Sequence, residues 1–194
     1  MSTTAAELTR TVDGVELPAP GTWKADPAHT SVEAVAKHMM ITKVRGRVGE
    51  ASIVAHIDED PTRSRVEATL QAGSLSTNNE QRDGHLMSDD FLAVERFPEI
   101  KYRSTSLVHL GGNRWRADGE LTLRDVTRPV ALDIEFGGVG RSPFGHTVAF
   151  FSGRAEINRE DFGITWNQAL ETGGVLVSKT AKIEIEAQLT RADV

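Results

Sequence analysis

The chain is organised around residues 78–98, NNEQRDGHLMSDDFLAVERFP, the one segment whose pattern predicts a helix. Its apolar residues fall mostly on one side of a short helix: Leu86, Phe91, Leu92 and Val94. Pro98 stops this helix because proline cannot donate the next helical hydrogen bond. The Asp89-Asp90 pair can cap a second turn, so the segment around residues 80–96 is either one helix or two joined pieces. Such a helix must pack its apolar side on another element.

The rest of the chain predicts that this element is a sheet, because apolar and polar residues alternate with the period of β-strands. About eight such segments follow one another with short turns and without helices between them, which predicts an antiparallel all-β domain, a barrel or a sandwich. An eight-stranded barrel either packs its interior with side chains or holds one small ligand. Alanines recur on one face of residues 32–38 and of residues 66–72, so this face is predicted to line a space.

Length and composition limit the classes of protein that remain. The 194 residues predict one domain over residues 21–194, preceded by residues 1–20, which show no sustained periodicity. We predict residues 1–20 to be a flexible tail or an outer arm, with a partner-binding arm as the alternative. The net charge of −6 argues against nucleic acid and anionic membranes as main partners. The absence of cysteine excludes disulfides and thiolate ligands.

No segment is apolar and long enough to predict stable insertion into a membrane. Residues 1–16 contain Glu7, Arg10 and Asp13 and lack the apolar centre of a signal peptide. The sequence therefore predicts a cytoplasmic location.

The sequence predicts neither a metal site nor a catalytic residue. No pair among the six histidines has the spacing of a helical zinc motif. No serine lies in a G-x-S-x-G elbow, and no carboxylate lies in an apolar run that would raise its pKa. The cluster Arg82, Asp83 and His85 has two interpretations: Asp83 complements the helix dipole and Arg82 pairs with a carboxylate, or the cluster binds the polar head of a ligand at a cavity mouth.

Five blocks in order resemble the YceI-like family over about residues 22–189. The blocks are Trp23-x-x-Asp26-Pro27-x-His29-Thr30, residues 75–91 (LSTNNEQRDGHLMSDDF), residues 97–105 (FPEIKYRST), residues 119–130 (GELTLRDVTRPV) and residues 158–164 (NREDFGI). The resemblance implies an extended, lipocalin-like, eight-stranded antiparallel barrel with a hydrophobic tunnel. In that family the tunnel holds polyisoprenoids, quinone-type lipids or related amphiphiles without catalysis, and some relatives are thought to sequester hydrophobic antibiotics.

Many members of that family are exported and stress-induced, and this chain departs from them because it has no recognisable signal peptide. It also has Ala34 and Ala36 where larger apolar residues are usual. No cofactor is expected beyond a bound polyisoprenoid or quinone-type lipid, whose burial would contribute about 0.8 kcal/mol per CH₂.

The ligand site follows from these patterns, although parity alone does not decide which face of a strand points inward. The predicted tunnel lining is Val32, Ala34, Ala36, Val66, Ala68, Leu70, Phe151, Ile183 and Ile185. Two helix residues would close one side, Phe91 and Leu92. Five residues would anchor or gate a polar head: His29, His38, Arg82, Asp83 and His85.

Two other functions stay open: a barrel enzyme that uses Arg82, Asp83 and His85 on a hydrophobic substrate, and a closed, ligand-free barrel that acts in assemblies. A homodimer through edge strands or the outer helix face is compatible with each.

Overall fold

A computed structural model describes residues 9–171 and 173–192, in which antiparallel strands predominate and one α-helix occurs. The helix is α1 (Glu80–Met87). The strands are β1 (Thr9–Val12), β2 (Val15–Pro18), β3 (Gly21–Ala25), β4 (Ser31–His38), β5 (Thr42–Val48), β6 (Ala51–Ile57), β7 (Arg65–Gln71), β8 (Leu75–Ser76), β9 (Glu99–Gly111), β10 (Arg114–Leu123), β11 (Val126–Arg141), β12 (Thr147–Asn158) and β13 (Val177–Arg191).

Eight of these strands close into a barrel. Their order is β12-β11-β10-β9-β7-β6-β3-β13, and β13 pairs again with β12. Every neighbouring pair in this ring is antiparallel. This arrangement confirms the predicted eight-stranded antiparallel barrel and decides against the sandwich.

The barrel is longer on one side because β13 has two successive partners. Its residues up to Glu186 pair with β4, and its last residues, from Leu189, pair with β3. β4 continues the wall through β5 to the short β8. Between β3 and β4 the chain makes a 3-10 turn (Pro27–His29), which begins at Asp26 because the Asp26 side chain accepts a hydrogen bond from the Ala28 N–H.

Residues 9–18 belong to the segment predicted as a flexible tail or an outer arm, and they form two paired strands. β1 and β2 form a hairpin whose turn residues, Asp13 and Gly14, both have positive φ, the geometry that Asp-Gly favours. Leu17 is only 6% exposed and packs in a cluster with Trp23 and Trp115. Burying such a side chain contributes about 1.5–3 kcal/mol, which opposes fraying of the segment. Residues 1–8 lie outside the described residues.

The predicted helical segment around residues 80–96 is shorter than expected. α1 begins after Asn79, whose side chain accepts a hydrogen bond from the Arg82 N–H, and it ends at Met87. Ser88 is extended, and its hydroxyl donates to the His85 carbonyl. This bond uses a carbonyl that could otherwise accept the next helical hydrogen bond. Residues 88–96 are turns, so neither Pro98 nor a cap at Asp89-Asp90 sets the end of the helix.

Two apolar clusters occupy opposite ends of the barrel. One lies under the β1–β2 hairpin and contains Leu17, Trp23, Ala55, Trp115, Phe136, Ala149, Ala187 and Leu189. The other lies beside α1 and contains Phe91, Leu123, Ile157, Phe162 and Ile164. The space between these clusters is the candidate functional site.

Candidate functional site

Two cavities lie inside the barrel, a narrow one of about 180 Å³ and a wide one of about 750 Å³. Five side chains line both cavities, so the two adjoin: Val32, Leu70, Leu121, Ile157 and Ile183. The wide cavity alone has the size of a typical small-molecule site. Together they form an apolar path that runs from the β1–β2 hairpin towards α1.

The narrow cavity is bounded by Leu17 and Pro18 at the hairpin end. Its wall includes Tyr102, whose hydroxyl donates to the carbonyl of Ala117 at 3.0 Å or of Val130 at 3.2 Å. Burial, with a smaller effect from Asp118, raises the pKa of Tyr102 to about 12. The phenol is therefore neutral near pH 7, and its proton is already engaged by protein carbonyls.

Small residues widen the second cavity. Ala34 of β4 lies between Gly46 of β5 and Ile183 of β13 in the sheet register. Ala36 lies next along the same face, between Val44 and Ala181, and all six residues line the wide cavity. The alanines on this face leave space that branched residues would fill, whereas the space over Gly46 is taken by the Leu75 side chain, whose Cδ1 lies 2.9 Å from the position of an added Cβ.

Three rings form one wall of the wide cavity on the side of α1. The centroids of His85 and Trp166 are 4.6 Å apart, and those of His85 and Phe91 are 5.0 Å apart, both in edge-to-face contact. Phe91 and Trp166 are 5.4 Å apart. The His85 ring is held at Nε2 by the Asp90 carboxylate, at 2.8 Å. The turn that shortens α1 therefore also orients this aromatic wall.

Arg82 and Asp83 both bind Thr77, the residue that leads into α1. The Asp83 carboxylate accepts hydrogen bonds from the Thr77 N–H, the Thr77 hydroxyl and the Ser76 hydroxyl. Burial alone would raise the pKa of the Asp83 carboxyl, but these hydrogen bonds outweigh it and hold the pKa below its usual range. Arg82 donates to the hydroxyl and the carbonyl of Thr77. Arg82 is therefore held by Thr77 rather than by the carboxylate that the sequence suggested.

Arg159 is a charged side chain in the wall of the wide cavity. It is 5% exposed, and its guanidinium lies 5.9 Å from the centroid of the Phe91 ring. Nε donates to the Ser178 carbonyl at 3.0 Å, and Nη1 donates to the Ile164 carbonyl at 2.8 Å. Burial lowers the pKa of Arg159, and Glu160 opposes that effect.

The structure brings most of the predicted site residues together around the two cavities. Four line the narrow cavity: Val66, Ala68, Phe151 and Ile185. Seven line the wide cavity: Ala34, Ala36, His38, Arg82, His85, Phe91 and Leu92. Val32, Leu70 and Ile183 line both.

Two predicted anchors lie elsewhere. His29 is exposed in the turn between β3 and β4, where its Nδ1 lies 2.8 Å from the Asp26 carboxylate. Asp83 faces Thr77 and Ser76 rather than either cavity, since its carboxylate is used to fix α1. Among the wall residues that the sequence reasoning missed are Tyr102, Arg159 and Trp166. Tyr102 lies in the apolar alternation of β9 and could have been found there.

Within residues 9–171 and 173–192, no group of three or more histidine or acidic side chains is arranged to hold a metal ion. Among the same residues, no helix is both long and apolar enough to cross a membrane.

Comparisons with known proteins agree with this architecture. A profile of the YceI-like domain matches residues 23–189. UPF0312 protein SA2479 of Staphylococcus aureus is 36% identical over 167 residues, which cover 85% of this chain and 95% of that protein.

Solved structures show the same fold. BcnA of Burkholderia cenocepacia superposes with a TM-score of 0.74 at 19% identity and covers 84% of this chain and 98% of its own. A YceI protein of Campylobacter jejuni has a TM-score of 0.69 at 26% identity and covers 81% and 90%. A polyisoprenoid-binding domain of Saccharophagus degradans, implicated in plant cell wall breakdown, has a TM-score of 0.61 at 10% identity and covers 89% and 99%. The profile match and the staphylococcal relative together show that this chain belongs to the YceI-like family.

Proposed function

We propose that the protein is a non-enzymatic carrier that holds a long apolar molecule, of the polyisoprenoid or isoprenoid-quinone class, inside its barrel. The observation that carries the proposal is the pair of adjoining cavities, of about 180 and 750 Å³, whose shared walls are aliphatic. An extended chain fits a path of this kind better than a compact polar substrate. The description of the Saccharophagus degradans neighbour as a polyisoprenoid-binding domain supports the same class of ligand.

The energetics of burial favour such a ligand. Each CH₂ removed from water contributes about 0.8 kcal/mol, so one isoprene unit contributes roughly 3–4 kcal/mol. Association and the ordering of the chain oppose binding by several kcal/mol. Three or four buried units then give a net affinity in roughly the micromolar to nanomolar range without many polar contacts.

The first experiment is native mass spectrometry of freshly purified protein, followed by solvent extraction of whatever is bound. A discrete adduct that extracts as an isoprenoid supports the proposal and identifies the ligand. If the mass is that of the bare chain, and stays so after incubation with quinones and polyprenols, the carrier function is refuted.

A binding titration adds a site-specific signal. Trp166 lines the wide cavity, whereas Trp23 and Trp115 belong to the buried cluster at the hairpin end, where Trp115 also lines the narrow cavity. A quinone in the wide cavity should quench Trp166 fluorescence, and the quenching should be largely lost in Trp166→Phe. A hydrophobic antibiotic that displaces the quinone would instead favour sequestration of other small molecules.

The enzyme alternative uses the Arg82, Asp83 and His85 cluster. Asp83 is occupied by three hydrogen bonds from Thr77 and Ser76, and His85 is held by Asp90, which supports structural roles. Turnover of a hydrophobic substrate that His85→Ala abolishes, with the fold intact, would overturn the non-enzymatic assignment. The cytoplasmic location and the homodimer stay predictions, and light scattering of the purified protein tests the dimer.

A further inference from the structure

Arg159 has a hydrogen-bond donor that the described part of the chain does not use. The residue begins the 3-10 turn (Arg159–Phe162) that follows β12, and its side chain is buried in the wall of the wide cavity. Nε and Nη1 bind the carbonyls of Ser178 and Ile164. Nη2 is buried and has no hydrogen-bond partner among residues 9–171 and 173–192.

Among the residues that the structure describes, no carboxylate forms a hydrogen bond or salt bridge with the Arg159 guanidinium. The adjacent Glu160 binds Lys179, with 2.9 Å between Oε2 and Nζ. The guanidinium is instead placed near the Phe91 ring, where a cation gains some electrostatic attraction. A buried donor of a charged group is costly to leave unpaired, so a third acceptor on this side would stabilise the arrangement.

Arg82, the other arginine in the wall of the wide cavity, does not share this property. Its Nε and Nη2 donate to Thr77, which its neighbour Asp83 also fixes, and none of its nitrogens is both buried and without a partner. Arg159 is thus the better candidate for contact with a ligand. A guanidinium can only donate hydrogen bonds, so its partner must present an acceptor oxygen.

We propose that the Arg159 side chain turns so that Nη2, which is buried in this structure, faces the wide cavity and donates a hydrogen bond to an acceptor oxygen at the polar end of the bound molecule, a ketone or quinone carbonyl or a carboxylate. The polar end then lies in the wide cavity beside Phe91, and the apolar chain extends past Leu70 and Ile183 into the narrow cavity. This inference rests on the proposed carrier function and adds to it the chemistry of the head group and the direction of the chain.

The test compares three probes with one isoprenoid skeleton: farnesylacetone, the hydrocarbon in which a methylene replaces its carbonyl, and the carboxylic acid of the same chain length. The ketone should bind the wild-type protein about tenfold more tightly than the hydrocarbon, and the carboxylate more tightly still, since hydrogen bonds to charged groups are the stronger ones. Arg159→Gln should reduce both preferences towards unity. Arg96→Lys, a change at an exposed arginine that pairs with Asp89, is the matched control and should leave them intact.

Arg159→Gln also loses bonds to two backbone carbonyls and can fail to fold, so a second measurement uses the wild-type protein alone. Farnesylacetone labelled with carbon-13 at its carbonyl should show a lower infrared stretching frequency when bound than in an alkane. Equal affinity of ketone, carboxylate and hydrocarbon, or an alkane-like carbonyl band, overturns the assignment to Arg159 and leaves the carrier function standing. Failure of all three probes to bind overturns both.

Discussion

Filling the wide cavity at Ala34 should block the ligand while preserving the barrel. Ala34 faces the cavity between Gly46 and Ile183, so an indole at this position projects into the cavity. We expect Ala34→Trp to occupy the space that the middle of a bound chain would fill.

The size of the effect follows from the apolar surface that is displaced. Loss of contact with one isoprene unit removes roughly 3–4 kcal/mol of transfer free energy. Every 1.4 kcal/mol changes a dissociation constant about tenfold, so Kd should rise by about two to three orders of magnitude. A chain that reorganises around the indole would lose less, which makes these values an upper range.

The assay is quenching of tryptophan fluorescence by an isoprenoid quinone, checked by direct calorimetry because the variant introduces a further tryptophan. The matched control is Lys43→Trp, which adds the same side chain to the exposed outer face of β5. Circular dichroism should show the same strand content for both variants and the wild-type protein.

The outcome that refutes this reasoning is an unchanged Kd in a folded Ala34→Trp variant. It would mean that the ligand does not occupy the wide cavity, and a weakened Lys43→Trp control would place its contacts on the outer face instead.

Three further predictions concern groups that hold the site in place. Tyr102 is the only tyrosine, so the ultraviolet absorbance of tyrosinate reports it alone and should titrate near pH 12. Because the pKa of Tyr102 is raised in the folded protein, its contribution to the free energy of unfolding is present below pH 10 and should be lost as the pH rises towards 12. A titration midpoint near pH 10 contradicts the burial of the phenol. Asp83→Asn should lower Tm at neutral pH. The difference in Tm from wild type should shrink as the pH falls through the depressed pKa of Asp83, because protonation then removes the charged carboxylate from the wild-type protein as well. A difference in Tm that stays constant with pH argues against the Thr77 contact. Gly119→Ala should lower the free energy of unfolding by about 1–3 kcal/mol. The reason is that its Cβ would lie 2.5 Å from the Tyr102 hydroxyl and 2.6 Å from the Arg103 carbonyl, whereas Gly73→Ala, in open space, should be close to neutral in urea unfolding.

Much of the barrel and part of its lining could be predicted from periodicity. Alternation is a local property of a strand, and it identifies Val32, Ala34 and Ala36 as one face before any partner strand is known. Alternation does not tell which of the two faces of a strand points into the barrel. The structure supplies this information through β13, whose Ile183 and Ile185 lie opposite Ala34 and Val32.

The errors have local and non-local origins. The β1–β2 hairpin had a readable signal, Asp13-Gly14 between short apolar stretches, which the prediction of a flexible tail or an outer arm did not use. The early end of α1 arises because the Ser88 hydroxyl competes for the His85 carbonyl. Residue helix propensities predict such a side-chain hydrogen bond only weakly. Arg159 could not be assigned from its immediate surroundings in the sequence, since its burial also depends on Ser178 of β13, which the fold brings to it.

The two ends of the barrel are closed by different means, and this difference predicts where a ligand enters. The hairpin end is sealed by apolar packing of Leu17 with Trp23 and Trp115, which is costly to separate. The other end is covered by α1, an eight-residue helix with no buried residue, fastened chiefly through hydrogen bonds to Thr77. Helices this short have little stability of their own, so this end should open first.

Hydrogen exchange of backbone amides tests that order. Amides of residues 80–96 should exchange faster than those of β12 and β13 in the ligand-free protein, and a bound isoprenoid ketone should slow them most. Exchange that is faster at residues 9–18, with ligand protection confined there, would place the entrance at the hairpin. An entrance at α1 agrees with a head group at Arg159, since the chain then enters tail first and the polar end is the last part to leave water.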